Sequence, residues 1–255
     1  IPLVFGQNDL TPANGFANQG EVMLKARQAS DRVGATMMDR PEWVAANPKK
    51  PGEVFMTCTN NNRRGTNTAS SNAVDGTTTA GSARPPVDDA NPRVNNVWGH
   101  IVRWNEAGGD ATATSFDWDI FLLAGQPSIT DARAPSANIT LDNLFNSPDG
   151  LSFDEAGRLW IQTDGDSSNK GDFAGMGNNQ MLCADPVSGE IRRFMVGPPG
   201  CEVTGVSFAP DQRAMFIGIQ HPGEGGGSSF PDHQAGMRPR SSVVVIRRND
   251  GGVIG

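Results

Sequence analysis

One plan recurs along the chain: an acidic residue, a short apolar run, a turn carrying Pro, Asp or Gly, and a second apolar run. "EWVAANPKKPGEVFMTCTNN" (Glu42 to Asn61), "DGLSFDEAGRLWIQTDGD" (Asp149 to Asp166) and "EVTGVSFAPDQRAMFIGIQHPGE" (Glu202 to Glu224) all follow it. Runs of this length bounded by such turns read as β-hairpins. Between them "VWGHIVRWNEAGG" pairs naturally with "SFDWDIFLLAG", and "QMLCADPVSGEIRRFMVG" folds back on itself around "DPVSGE". The final stretch, "SSVVVIRRNDGGVIG", reads as one more strand with a polar tail.

Many short antiparallel strands, grouped in irregular repeats, predict an all-β chain and specifically a β-propeller, whose blades of four strands take roughly 40 to 50 residues each. The strands fill about three blades, fewer than a closed ring needs, so the expectation is part of a ring. The opening "IPLVFGQNDL" has neither an initiator Met nor the layout of an export signal, and it reads as the middle of something longer. Residues 1–35 are expected to form a lead-in with one short helix between Gly15 and Gly34, spaced by Val22, Leu24, Ala26 and Ala29, and 36–255 the C-terminal blades of one incomplete domain. The Ser/Thr/Ala/Gly/Pro-rich stretch from Asn67 to Arg93 reads as a long loop.

Composition narrows the function. With 31 Gly and 18 Pro and a hydrophobic fraction of 36%, turns take a large share of the backbone. A net charge of -7 without a Lys/Arg run longer than a pair argues against nucleic acid as a partner. No apolar run reaches the roughly 20 residues of a membrane-spanning helix, so no transmembrane segment is expected. Cys58, Cys183 and Cys201 lie at no metal-binding spacing; Cys183 and Cys201 could pair across strands, with buried free thiols as the other reading. His100, His221 and His233 are too scattered for a histidine zinc site, and neither a Gly-x-Ser-x-Gly elbow nor a phosphate-binding glycine loop is present.

Glu42, Asp149 and Glu202 each start a repeat. If the first strands line one channel, these acids converge there. Carboxylates forced together raise one another's pKa unless a cation neutralises them, and hard cations such as calcium take oxygen ligands. The plainer readings stay open: Asp149 as a turn former in "SPDGL", and Glu202 as a charge at a strand end. Arg40 precedes Pro41, which favours extended backbone, and in a strand it shares a face with Glu42. Its planar fork suits phosphate oxygens, and an ion pair with Asp39 or Glu42 is the alternative. Asn60, Asn61 and Asn62 could lend amide oxygens to a cation or simply make a turn.

The stretches "FGQNDLTPANGFANQGE", "GATMMDRPEW", "NSPDGLSFD", "GCEVTGVSFAPD" and "IQHPGE" together resemble the C-terminal half of the PhoX-type alkaline phosphatases, from about Val4 to Gly255. The resemblance implies a six-bladed propeller, exported to the periplasm or secreted, that hydrolyses phosphate monoesters through a cluster of iron and calcium ions. It implies that Glu42 binds iron, that Arg40 contacts the phosphoryl group, and that Asp149 and Glu202 bind calcium. It further implies that the remaining ligands, an iron-bound cysteine among them, come from an N-terminal half, and no cysteine here matches that position. Edge strands left open by a partial ring would pair with that half or with a second copy. The rival readings are a calcium-dependent propeller lactonase or hydrolase and a non-catalytic binding platform.

Overall fold

The computed structural model describes residues 1–66 and 85–255, so the expected long loop from Asn67 lies largely outside the described residues. By contact the chain divides into two units, one formed by 1–38 with 62–95 and one by 39–61 with 96–255.

The first unit holds two short helices, α1 (Gln19–Leu24) and α2 (Ala26–Arg32), where the sequence predicts one. Asn18 caps α1 by accepting the Glu21 N–H at 3.0 Å, while Glu21 accepts the Ala17 N–H at 3.0 Å, a reciprocal cap. Lys25, at φ -98° and ψ 37°, breaks the run. The break explains the failed periodicity: Val22 and Ala29 are buried with Leu10 and Phe16, whereas Leu24 points to solvent.

The second unit is mostly β, with three antiparallel sheets. The first contains β1 (Pro41–Ala46), β2 (Glu53–Cys58), β3 (His100–Glu106) and β4 (Phe116–Leu123), each paired with the next. The second repeats that order with β5 (Pro148–Phe153), β6 (Leu159–Thr163), β7 (Gln180–Ala184) and β8 (Ile191–Val196), and the third has β9 (Glu202–Phe208), β10 (Met215–Gln220) and β11 (Ser242–Ile246). Every hairpin expected from the sequence forms.

Side-chain alternation shows how the sheets stack. In β6, Leu159 and Ile161 join a core with Phe55, Ile101 and Leu122 of the first sheet, whereas Trp160 between them joins Val203, Ile217 and Ile219 of the third. Successive strand residues point to opposite faces, so the middle sheet is covered on both sides and its strands "LWIQT" and "QMLCA" are buried almost throughout. Edge-on ring contacts join the layers, Phe55 to Phe153 at 5.5 Å and Trp160 to Phe208, tilted, at 5.9 Å. Strand β11 keeps strict alternation, with Val243 and Val245 outward.

One glycine lets two backbone segments pass in close contact. Gly99 has φ 76°, and a Cβ there would lie 2.0 Å from the Thr59 carbonyl oxygen and 2.5 Å from that of Cys58. Gly99→Ala is therefore expected to lower unfolding stability by about 3 kcal/mol or more, read as a shifted denaturation midpoint. A midpoint within error of the parent's would refute the close approach.

Candidate functional site

Three strand entries repeat one local geometry. Two residues before each acid, the backbone takes a left-handed φ: 51° at Arg40, 53° at Ser147 and 65° at Gly200. Pro, Pro and Cys follow, and then Glu42, Asp149 and Glu202. Left-handed backbone is costly for a residue with a Cβ and marks a position fixed by its surroundings. Arg40 thus departs from the sequence expectation of extended backbone before Pro41, and it sits outside β1 rather than two places along it. The local preference loses because the Arg40 carbonyl accepts the Thr59 N–H at 3.1 Å, just as the Ser147 carbonyl accepts the Asp164 N–H at 3.1 Å.

Register shifts follow at once. Pairing slips between Pro41 and Val44 in β1 and between Pro148 and Leu151 in β5, so Glu42 and Asp149 both lie in irregular segments. Such bulges re-aim side chains near strand ends. The buried Thr57 hydroxyl stabilises both places: it accepts the Trp43 N–H at 3.0 Å and donates to the Asp149 carbonyl at 2.6 Å, tying the first sheet to the second. Strand β5 packs between β1 and β9.

The acids meet electrostatically. Burial first, then the charges of Glu42, Glu202 and Asp164, push the half-buried Asp149 carboxyl up to about 7, with Arg40 opposing. Glu202 is also raised, by burial and then by Asp164, against His221. The His221 ring stands between Glu202 at 3.5 Å and Glu224 at 3.1 Å. Gln220 donates to Glu202 at 2.5 Å. Arg40 is exposed; its guanidinium donates to Asn60 Oδ1 at 3.2 Å and lies 4.0 Å from Glu42. Glu42, Glu202, Asp164 and Arg40 thus all act on Asp149, and His221 on Glu202; Asp164 and His221 are neighbours that the sequence reading did not assign to the acids. The signal for both was present: antiparallel pairing returns the exit of each second strand beside the entry of the first, which brings "TD" at the end of β6 and "QH" at the end of β10 to the strand entries.

Among the described residues, no three His, Cys, Asp or Glu side chains gather closely enough to grip one ion. The donor set nevertheless fits cations chemically, because three carboxylates and only one guanidinium act on the half-buried Asp149, which carries the cost of that imbalance. Cys183 and Cys201 are not joined to each other, which removes that pairing, and burial pushes their thiols up to about 11.

A family model described as alkaline phosphatase PhoX matches residues 1–223. No curated protein gives a significant match. Among solved structures, the chain is similar to Pseudomonas fluorescens PhoX in complex with vanadate, a transition state analogue, at 56% identity and a TM-score of 0.90. That match covers 100% of this chain and 41% of the P. fluorescens chain, so the 255 residues span well under half of that relative. A gluconolactonase from Xanthomonas campestris aligns at 13% identity and a TM-score of 0.30, over 60% of this chain and 52% of its own, too distant to carry any argument. The extent of the family match and the closeness of the P. fluorescens structure show that the chain belongs to the alkaline phosphatase PhoX family.

Proposed function

We propose that these residues form part of a metal-dependent alkaline phosphatase that hydrolyses phosphate monoesters at the anionic volume around Asp149. The observation that carries the reading is a half-buried carboxyl raised to about 7 by its burial and then by three other acids, opposed by the exposed Arg40 guanidinium. Carboxylates so crowded are poorly placed to receive an anion by themselves and well placed to hold cations that do.

In this reading Glu42, Asp149 and Glu202 are cation ligands, and Arg40 binds the phosphoryl oxygens with its planar fork. Calcium and iron are the ions that the likeness in sequence implies; both accept carboxylate oxygens. A bound cation there supplies neutralising charge for the phosphoryl group and lowers the pKa of coordinated water. Among the described residues no three such side chains gather on one ion, so further donors come from elsewhere in the protein, in keeping with the greater length of the P. fluorescens relative. The three sheets then serve as blades of a larger ring within 36–255, residues 1–35 lead into it, and a further part of the protein or a second copy covers the open edges. The family points to the periplasm or the exterior; among the described residues no helix is long and apolar enough to cross a membrane.

The test is turnover of p-nitrophenyl phosphate by the full-length protein with calcium and iron, inhibited by vanadate. Glu42→Gln, which keeps size and removes charge, is expected to lower turnover at least about tenfold. Unaltered turnover in that variant removes Glu42 from the mechanism, and absence of vanadate-sensitive turnover in the parent removes the phosphatase reading itself.

A further inference from the structure

We propose that Asn60 is a positioning residue that aims the Arg40 guanidinium at the anionic volume. The inference rests on the phosphatase reading above and adds to it a residue placed there by hydrogen-bond chemistry.

Arg40 lies outside β1, so no strand pairing steadies its side chain, and more than half of that side chain is exposed. Its two recorded partners differ sharply. Asn60 is at 3.2 Å, a real hydrogen bond; Glu42 is at 4.0 Å, the limit of an exposed ion pair that holds little. A guanidinium has donors only, so Asn60 must turn its carbonyl oxygen to Arg40. That choice sends its amide N–H2 the other way, where it donates to Ser147 Oγ at 3.2 Å. The Ser147 hydroxyl then donates to Asn146 Oδ1 at 2.9 Å, which also accepts the Asp166 N–H at 3.1 Å.

The chain of bonds runs from an exposed guanidinium to buried anchors, since Ser147 and Asn146 are almost fully enclosed. Every donor and acceptor along it is fixed by the one before. Ser147 precedes Asp149 by two residues on the next sheet, so Asn60 sets the spacing between guanidinium and carboxylate. Asn60 is also neutral. It can orient Arg40 without cancelling the charge that an oxyanion needs, which Glu42 cannot do.

The experiment is a double-mutant cycle in the full-length protein: the parent, N60A, R40A and N60A/R40A, each measured for p-nitrophenyl phosphate kcat/KM and for vanadate affinity. N60A is expected to weaken both by about ten- to thirty-fold, the worth of one hydrogen bond to a charged group. In the R40A background the same change is expected to cost less than about twofold, because Asn60 acts through Arg40. Unchanged melting temperatures exclude loss of fold. N60D retains the acceptor but pairs its charge with the guanidinium, and it should weaken vanadate binding as well. Equal losses from N60A in both backgrounds overturn the proposal while leaving the phosphatase reading intact. An R40A protein with full vanadate affinity overturns it through its premise.

Discussion

Arg40→Ala in the full-length protein is expected to reduce kcat/KM for p-nitrophenyl phosphate by about 10²- to 10³-fold, the usual loss when one preorganised donor to a developing oxyanion is removed. Phosphoryl transfer asks little covalent chemistry of the protein and much charge placement, so the one guanidinium that opposes the acids acting on Asp149 has an outsized role. Arg40→Lys should recover only part of the loss, because an ammonium offers a point charge where the fork offers two aligned donors. Two alternatives make this a sharp test. If Arg40 served only as a surface ion pair with Glu42, its removal would cost almost nothing, as exposed pairs at 4.0 Å do. A calcium-dependent lactonase would likewise tolerate the change, since its substrate carries no phosphoryl oxygens to clamp. Loss confined to phosphate esters and vanadate, with cation content unaltered, supports the assigned role; activity within threefold of the parent excludes it.

The hairpins were legible because each strand pair is local: apolar runs of five to eight residues flank turns rich in Pro, Asp and Gly, and nothing in the fold overrides them. The acids at the strand entries were legible for the same reason, as Glu42, Asp149 and Glu202 punctuate the repeats. Asp164 and His221 were not assigned to the acids, and Asn60 was named only as a cation donor or a turn former. They leave second strands, and their meeting with the acids depends on register across a hairpin and on stacking of separate sheets, neither of which shows in the periodicity of a single run. Arg40 shows a different limit. Local sterics before a proline favour extended backbone, yet the Thr59 N–H bonded to the Arg40 carbonyl holds it left-handed. The same exception at Ser147 before Pro148 marks it as a feature of the strand entries rather than an accident. The helix was misjudged because Leu24 fits the pattern but faces solvent once Lys25 breaks the run.

Asp149→Asn should change stability in opposite directions depending on cations. In the cation-free protein the Asp149 carboxyl sits near 7, raised by burial and by Glu42, Glu202 and Asp164, whereas in an unfolded chain it titrates near the ordinary 3.9. Between those values the folded state binds more protons than the unfolded one, so stability falls as pH rises from about 4 to about 7 and stays lowered above. A half-exposed group is partly screened, which brings the penalty down to roughly 1–2 kcal/mol. Removing the charge abolishes it. The chelated variant should therefore melt above the chelated parent at pH 8, with the gap closing by pH 4. Adding calcium should reverse the order, since the parent gains binding energy that the variant has lost, and turnover by the variant should fall by about 10³. A variant less stable than the parent in chelator at pH 8 would mean that Asp149 is held by hydrogen bonds rather than crowded by charge. The volume would then have no electrostatic reason to attract cations, and with it would go the argument that an anionic ester can dock among these acids.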